Sequence, residues 1–520
     1  MNRLRKVVNN TAISLVGQAV TWTSTLLLTI AYGRFLGDTR FGELYFAITF
    51  VLLAGFPLEF GFNQQLTRDV AQEPHKALRY FSNILLIKGL LWLILYSLIL
   101  LFCWLLGYGP EERMLVGICG FTLLSTATAN TFAALHYSFE RAIFPAMGMI
   151  LEKSLSALVG ILLLRNGFGV ESMALVLLGG SLASTIWQGL WFFRLVGRSF
   201  AIDRALIREL IRSSIPFLTY GVLGVIYYRL DTVLLSLMTN AAVVGWYGAG
   251  YRLFDTLIFL PSLVIGAIMY PVFSKLSVTS EASLKVAIEK SMNFLLFCGL
   301  PISTMLIVGA PNIIELLYHR QEFLHSIPAL QALAPGLIFL YINAVLSSVL
   351  MSTNREKKIT IMAAIALVFN LALNLILIRL YQHVGAAIVT SLTEFLLICI
   401  SVVFIPRSML PIGSVRVGVK AFIASLVMAV AVLLLINLVS PSAQFFILVV
   451  LPAAVLVYLG TTMLLRTIPR EDMQALYSAA LGRRYRTSLP SRANQQETEP
   501  ELYLVDETFR TSEDSIVPEV

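Results

Sequence analysis

The sequence contains fourteen apolar stretches, each about as long as a helix needs to cross a bilayer. They cover residues 11–33, 41–65, 80–106, 114–136, 144–164, 171–193, 213–238, 243–271, 289–309, 326–350, 359–380, 383–404, 417–438 and 443–465. This repetition predicts an all-α polytopic membrane protein. Only 13% of the 520 residues are charged, about half the share in soluble proteins. So little charge excludes a soluble enzyme, a nucleic-acid-binding protein and a secreted disulfide-rich domain.

The distribution of lysine and arginine along the chain predicts its orientation. If the N-terminus is cytoplasmic, 28 of the 38 basic residues lie in cytoplasmic segments, six in external loops and four within the spans. Cytoplasmic loops of membrane proteins carry such an excess, and an error of one span would destroy the alternation. We therefore predict that both termini are cytoplasmic. The segment 487–520 carries eight acids and two bases, so the rest of the chain carries +14, an excess that reflects orientation and contact with anionic headgroups.

Two short sequence matches, six spans apart, predict an internal repeat. Each match joins a glycine to an aromatic or branched residue near the start of a span: Phe41-Gly42 with Val244-Gly245, and Gly169-Val170 with Val384-Gly385. An offset of six helices keeps both halves in the same orientation, as two lobes in parallel repeat require. The predicted organisation is a six-helix lobe at 1–193, a basic linker at 194–212, a second six-helix lobe at 213–404, two additional helices at 405–466 and a cytoplasmic tail at 467–520.

The linker and the tail differ from the spans in composition. In the linker, Arg204, Arg208 and Arg212 recur every four residues, which predicts either an interfacial helix on the inner leaflet or a positive cytoplasmic loop. After Arg486 the chain loses apolar periodicity and becomes rich in Ser, Thr, Gln and Glu. This composition predicts a largely disordered tail.

Ionisable residues at membrane depth are the candidate functional residues. A charge at the centre of a lipid-facing helix costs on the order of 2.5–3.5 kcal/mol, so each is expected to face a wet cavity, a protein partner or an interface. The bases are Lys88, Lys153, Arg229 and Arg252, and the acids are Glu152, Asp231, Asp255 and Glu394. Lys88 is close enough to the inner end of its span to snorkel. Lys153 and Glu152 can share a cavity without pairing, since adjacent residues lie about 100° apart on a helix.

Arg229, Asp231, Arg252 and Asp255 form the densest group of these charges. Arg229 and Arg252 lie almost equally far from the turn near Asn240, so antiparallel neighbouring helices would place them at similar depth. Asp231 and Asp255 are both close enough to neutralise Arg252. Asp255 lies on the same helix face as Arg252. Two interpretations stay open. One is a purely structural network, and the other is the wall of a polar cavity in which an anionic ligand competes for the arginines.

No catalytic motif accompanies these residues. The sequence contains no HExxH, GxSxG or P-loop pattern, and its five histidines are dispersed. The acidic residues of the predicted external loops do not form a paired constellation. The sequence therefore predicts neither an enzyme nor a metal site.

Several segments of the chain resemble polysaccharide-transport flippases of the Wzx type. They are Gly33-Arg34-Phe35-Leu36-Gly37, Phe41-Gly42-Glu43-Leu44-Tyr45, Ser214-Ile215-Pro216 through Tyr228-Arg229-Leu230-Asp231, Val244-Gly245-Trp246-Tyr247, Tyr251-Arg252-Leu253, Asn370 to Asn374, and Val384-Gly385-Ala386-Ala387 before Glu394. The resemblance covers roughly residues 10–410. It is specific to the multidrug/oligosaccharidyl-lipid/polysaccharide exporter (MOP) superfamily and less specific to one substrate.

The resemblance implies two six-helix lobes around a central cavity that opens alternately to either side of a bacterial inner (cytoplasmic) membrane. Members of the family move undecaprenyl-pyrophosphate-linked glycans from the inner to the outer leaflet during assembly of O-antigen, capsule or related polymers. The implied partners are the lipid-linked glycan, the bilayer, a polysaccharide polymerase and other assembly proteins, and no nucleic acid.

The resemblance also implies basic residues that bind the pyrophosphate or acidic sugars, for which we rank Arg229, Arg252, Lys153 and Lys88 in that order. Asp231, Asp255, Glu394 and Glu152 are then either structural or coupling residues. No cofactor is implied beyond an ion gradient whose ion is unknown. The alternative function is an ion-coupled small-molecule antiporter of the related multidrug class, which predicts a cavity dominated by carboxylates. A membrane-embedded glycan-processing enzyme is less favoured.

Overall fold

The structure, a computed structural model, describes residues 2–59, 61–197, 200–439 and 445–467. Within these ranges it describes the backbone alone for residues 2–12, 14–15, 215–228 and 267. The elements in the described ranges are helices, and none of them is a strand. The predicted disordered tail after Arg486 lies outside the described residues.

Fifteen helices define the architecture of the described chain. They are α1 (Asn2–Gly55), α2 (Phe62–Gln72), α3 (Ala77–Leu105), α4 (Pro110–Ser138), α5 (Ile143–Arg165), α6 (Val170–Val196), α7 (Arg204–Met238), α8 (Ala241–Leu257), α9 (Tyr270–Thr279), α10 (Glu281–Val308), α11 (Ala310–Tyr318), α12 (Ser326–Ser352), α13 (Glu356–Phe404), α14 (Ser414–Val439) and α15 (Leu451–Leu464). Short 3₁₀ turns at Phe56–Glu59, Pro74–Lys76, Gln321–His325 and Arg407–Met409 and π turns at Ser262–Met269 and Phe446–Val450 connect or extend them.

The two longest helices, α1 and α13, are each a hairpin of two spans. The backbone leaves helical geometry at Gly37 (φ 81°) in α1 and at Gln382 (φ 48°) in α13. In α13, Asn370 Nδ2 donates to Thr393 Oγ1 at 3.2 Å, whereas 23 residues of straight helix would separate these residues by about 35 Å. The chain therefore reverses at Gln382.

The fourteen predicted spans correspond to these helices. In α1, Thr25 and Thr49 line one cavity, which places the two arms of this hairpin side by side. Among the described residues, eleven continuous helical segments are long and apolar enough to cross a membrane. The hairpins α1 and α13 each supply two spans, and α7 supplies one more. In chain order, α1 to α6 contain the first six spans, α7 to α13 the next six, and α14 and α15 the last two.

The outer surface of the bundle is apolar along whole helices. On α3, for example, Leu90, Leu93, Ile94 and Leu98 each expose more than half of their surface. Their spacing of three and four residues places them on one helix face. Soluble proteins rarely expose contiguous apolar surface of this extent, so this face contacts lipid.

The basic linker is part of α7. Residues 204–212 form the first turns of this helix, which continues without a break to Met238, so the interfacial helix predicted on the inner leaflet is not a separate element. Leu206 and Leu210 are buried against the first lobe, which directs the helix into the bundle. Asp203 caps α7 by accepting hydrogen bonds from its first N–H groups at 2.9 and 3.3 Å, and it pairs with Arg79.

A proline breaks the helical path after α8. Pro261 has no N–H, so the carbonyl of Leu257, four residues earlier, loses its helical donor. The hydroxyl of Tyr341 on α12 donates to that carbonyl at 2.7 Å, as a backbone group freed within a membrane requires. The π turn Ser262–Met269 follows and leads into α9. This break lies beside the residues that line the candidate site.

Candidate functional site

Three of the predicted basic residues line one cavity between α1, α5, α7 and α8. The cavity has a volume of about 150 Å³, and Lys153, Arg229 and Arg252 contribute to its wall. Tyr32 and Tyr45, one from each arm of the α1 hairpin, line it as well. The structure therefore brings together three of the four basic residues that the sequence identifies.

Arg229 pairs with Asp255 across the α7–α8 interface. Its Nη2 lies 3.0 Å from Asp255 Oδ2, and the two side chains are only 18% and 14% exposed. The guanidinium also lies over the ring of Tyr251, with Cζ 5.6 Å from the ring centroid. Asp255 is about 6 Å further from the turn than Arg229 by helical rise, a difference that the long arginine side chain spans. The acid that shares a helix face with Arg252 thus pairs with the other arginine.

Arg252 lies at the junction of two cavities. Its Nε donates to Thr29 Oγ1 at 3.2 Å, and within the described part of the chain it forms no ion pair. It also lines an adjoining cavity of about 380 Å³. Trp22 and Phe259 lie in the wall of that second cavity with their rings edge to face at 4.3 Å. Most of the N–H donors of this guanidinium therefore remain available to a ligand.

Lys153 and Glu152 form an adjacent pair on α5. Lys153 Nζ lies 2.6 Å from Glu152 Oε1, with the lysine 37% and the glutamate 12% exposed. The sequence predicts that the two share a cavity without requiring contact, and the structure brings them into contact. The cavity wall therefore contains three bases, of which Lys153 and Arg229 each pair with a carboxylate and Arg252 does not.

Asp231 is held on the opposite side of α7, away from Arg252. Its carboxylate accepts hydrogen bonds from Thr232 N at 2.7 Å, from the Tyr247 hydroxyl and, on α13, from Thr390 Oγ1 at 3.5 Å. The side chain is only 3% exposed. Neutralisation of Arg252 by Asp231, which the sequence leaves open, therefore does not occur in this structure, because helix rotation directs the carboxylate to other donors.

Lys88 belongs to a separate polar cluster between α2, α3 and α4. Its side chain is fully buried and does not snorkel, which corrects the sequence prediction. Nζ lies 3.2 Å from Asn63 Oδ1, 3.1 Å from Ala127 O and 3.7 Å from Glu59 Oε2. Glu59 also accepts from Asn130 Nδ2 at 3.0 Å. Glu59 is a further acid at membrane depth, because it lies within the predicted second span, where the rule that identifies the other acids applies equally.

Glu394 is likewise outside the cavity wall. It is 3% exposed and accepts from Asn343 Nδ2 on α12 at 3.3 Å.

Nothing in the sequence distinguishes Tyr32 and Tyr45 from the many aromatic residues that only pack in such helices. Their place in the cavity wall becomes visible only once the α1 hairpin is folded.

The two lobes are in backbone contact at the predicted external face. A Cβ atom at Gly42 on α1 would lie 1.8 Å from Ala241 O, and one at Gly245 on α8 would lie 2.1 Å from Asp38 O. Only glycine permits so close an approach. Trp246 Nε1 donates to Asp38 Oδ2 at 2.8 Å beside this contact. Gly42 and Gly245 are the glycines of the first sequence match, so repeat-related positions meet between the lobes.

A second set of contacts joins the two lobes near the turn of α1. Arg34 Nε and Nη2, near the turn of α1, donate to the carbonyls of Leu317 and Leu316 at the end of α11, at 2.5 and 2.6 Å. In return, Arg320 Nε donates to Arg34 O at 2.8 Å. These contacts join the two lobes on the predicted external side of the cavity.

A sequence match shows the family to which the chain belongs. Residues 7–277, just over half of the chain, match the family of polysaccharide biosynthesis proteins. The chain belongs to this family. A related sequence, an uncharacterised membrane protein of Methanocaldococcus jannaschii, is 26% identical over 195 residues. That match spans 36% of this chain and 38% of the relative, well under half the length of either protein.

Several solved structures have the same fold as this polysaccharide biosynthesis protein and cover most of its chain. The lipid II flippase MurJ in an inward closed conformation covers 91% of the chain and all of its own length, with a TM-score of 0.72 and 17% identity. An inward-facing multidrug resistance MATE transporter of the MOP superfamily covers 80% of the chain and 98% of its own length, with a TM-score of 0.61 and 14% identity. The predicted all-α polytopic fold is thereby confirmed.

A third solved structure has the same fold. A MOP superfamily transporter from Pyrococcus furiosus covers 76% of the chain and 93% of its own length, with a TM-score of 0.54 and 16% identity. Identities this low establish the fold alone, which is the fold of flippases and transporters in a membrane. The chain is thus a multi-pass membrane protein, and its substrate has to be argued from the residues of its own cavity.

Proposed function

We propose that the protein is a lipid-linked oligosaccharide flippase that binds the pyrophosphate headgroup in the cavity lined by Arg229, Arg252 and Lys153. The observation that carries this proposal is Arg252, which lies at membrane depth without a carboxylate partner among the described residues. A charge in this position is costly unless an opposite charge reaches it. A pyrophosphate supplies that charge, and its oxygens match the planar donor geometry of the guanidinium.

The neighbouring bases extend the same site. Arg229 already holds Asp255 at 3.0 Å, so a pyrophosphate oxygen that replaces that carboxylate keeps the arginine paired with a negative charge. Lys153, 37% exposed and paired with Glu152, adds a third base to the wall. The larger adjoining cavity beside Arg252, with Trp22 and Phe259 in its wall, provides an aromatic surface for the first sugar.

Transport follows if the lobes separate at the external face after the headgroup is bound. In this state the Gly42–Gly245 contact closes that face. Opening there and closing on the opposite side would carry the headgroup across while the polyprenyl chain stays in lipid. The bias of 28 basic residues to six supports cytoplasmic termini and movement from the inner to the outer leaflet of a bacterial inner membrane. A polysaccharide polymerase is then the expected acceptor of the product.

The cavity disfavours the alternative of a small-molecule antiporter. A cationic substrate requires unpaired carboxylates, but Asp255 and Glu152 are each paired with a base and Asp231 accepts from three donors. The same carboxylates remain our candidates for coupling transport to an ion gradient. We propose no catalytic role for any of these residues.

Purification of the full chain with its bound ligand, followed by mass spectrometry, tests the proposed function. The expected species is a polyprenyl pyrophosphate that carries sugars. The matched control is Arg252→Ala, from which the same lipid should be lost while annular phospholipids remain. Recovery of a small organic cation, or of the glycolipid at equal yield from the Arg252→Ala variant, would overturn the proposal.

A further inference from the structure

Two buried tyrosine hydroxyls in the cavity wall have no hydrogen-bond partner among the described residues. Tyr32 is 5% exposed and Tyr45 is 9% exposed, and neither hydroxyl has a donor or acceptor within reach. Leaving a buried hydroxyl unpaired costs free energy, because water would otherwise bond to it. Each such group in a folded protein therefore requires an explanation.

Other buried tyrosines in the bundle have hydrogen-bonded hydroxyls, as buried polar groups usually do. The hydroxyl of Tyr318 donates to Ala249 O at 3.1 Å, that of Tyr341 donates to a carbonyl of α8, and that of Tyr247 donates to Asp231. Tyr318 is as deeply buried as Tyr32 and Tyr45, but it does not line the cavity. Among the tyrosines whose side chains the structure describes, the two with buried unpaired hydroxyls thus both line the wall that holds the three bases.

We propose that Tyr32 and Tyr45 are ligand-binding residues whose hydroxyls donate hydrogen bonds to the oxygens of a phosphate group held in this cavity. This inference rests on the proposed function and adds two neutral donors to the charged ones. A phosphate oxygen accepts hydrogen bonds from a phenol hydroxyl as well as from a guanidinium N–H. Both arms of the α1 hairpin then contact the same headgroup.

Neutral donors suit a site that has to release its ligand. A fourth base would strengthen binding in every state of the transporter, whereas a phenol contributes only where its direction is correct. Because Tyr45 lies on the same arm of α1 as Gly42, movement of this arm changes the direction of its hydroxyl. The phenols therefore couple headgroup binding to the position of the α1 hairpin.

A phenylalanine substitution distinguishes a ligand-binding role from a structural role, because the two roles predict different changes in the melting temperature. Tyr32→Phe and Tyr45→Phe keep the ring and remove only the unpaired hydroxyl, so the ligand-free protein should melt at the wild-type temperature or above it. Pyrophosphate should bind roughly 10-fold more weakly to each variant, because a hydrogen bond to a charged group is lost. Tyr318→Phe, the matched control, should melt at a lower temperature and bind pyrophosphate as the wild type does.

The measurements are calorimetric titration with inorganic pyrophosphate and undecaprenyl pyrophosphate, and thermal unfolding of the full chain in detergent. If both cavity variants bind these probes as tightly as the wild type, or if they lose thermal stability as Tyr318→Phe does, the tyrosines are structural and this inference is wrong. The proposed function survives that result. If the wild type binds neither probe, the proposed function and this inference both fail.

Discussion

Gly42 on α1 and Gly245 on α8 touch through their backbones, and each occupies the position in its lobe that the internal repeat relates to the other. A Cβ on either residue would lie within 2.1 Å of a carbonyl oxygen of the opposite lobe. Such spacing is typical of membrane helices that pack through small residues. The contact lies on the predicted external side of the cavity, and we expect it to close that side as a gate.

The first prediction is that Gly42→Ala prevents this closure. Overpacking of a rigid backbone contact costs about 1–3 kcal/mol, which shifts the equilibrium between closed and open states about 5- to 150-fold toward the open one. A cysteine at Phe41, which is buried and lines the cavity, should then react with a maleimide added from the external side in a background without the native cysteines.

Gly89→Ala is the control for that substitution. Gly89 lies on α3, and a Cβ there would meet no atom within 4 Å, so this variant should keep the labelling and transport of the parent protein. If the Gly42→Ala variant is labelled no faster than the Gly89→Ala variant, the backbone contact is not a gate.

The second prediction concerns the Arg229–Asp255 pair. Arg229→Ala removes the arginine that lies 3.0 Å from the buried carboxylate of Asp255, and breaking such a pair destabilises a protein by about 3–5 kcal/mol. The abundance of the protein in the membrane should fall. Adding Asp255→Asn removes the stranded charge and should restore abundance, measured by quantitative immunoblotting. Transport should remain absent in the double variant. A double variant that regains both abundance and transport would show that Arg229 only neutralises an acid.

The third prediction separates the two arginines. Arg252 has no carboxylate to strand within the described structure, so Arg252→Ala should accumulate normally while glycan export falls about 10-fold or more. Arg252→Lys keeps the charge but loses the planar fork, and its export should lie between those of the wild type and the alanine variant. Equal export by all three proteins would exclude Arg252 from the site.

The fourth prediction concerns the cap of α7 outside the membrane. The Arg79 guanidinium holds the pKa of Asp203 below its ordinary value of 3.8. The ion pair therefore stabilises the fold at neutral pH, and its contribution is lost as the pH falls below that value. Asn caps a helix as well as Asp, so Asp203→Asn removes only the ion pair and should narrow the difference in melting temperature between neutral and acidic pH. Asp203→Ala also removes the cap, so this variant should melt at a lower temperature than the wild type at both pH values.

The fold follows from the sequence because its main determinant is local. A run of about 20 apolar residues crosses a bilayer wherever it occurs, so the helices are predictable without knowledge of their neighbours. The contact between the lobes is also partly predictable from the sequence, since Gly42 and Gly245 occupy corresponding positions in the predicted repeat. The hairpin reversals at Gly37 and Gln382 agree with the short connections between the predicted spans.

The pairing of charges is not predictable in the same way. Depth along a helix follows from residue number, which correctly brings Arg229 and Arg252 to one cavity. Rotation about the helix axis depends on packing, and it decides that Asp255 contacts Arg229 whereas Asp231 contacts Tyr247. Lys88 is the clearest case, because its burial depends on Glu59, in the 3₁₀ turn of the second span, and on Asn63 just beyond that turn. The unpaired hydroxyls of Tyr32 and Tyr45 have no sequence signal at all.

Reconstitution of the full chain into liposomes tests the central claim most directly. The measurement is the rate at which an undecaprenyl-pyrophosphate-linked glycan moves between leaflets, compared among wild type, Arg252→Ala and protein-free liposomes. We expect the wild type to move the lipid and Arg252→Ala to do so at least about 10-fold more slowly. Transfer by the wild type no faster than in protein-free liposomes, or equally fast transfer by Arg252→Ala, would contradict a flippase that binds pyrophosphate through this arginine.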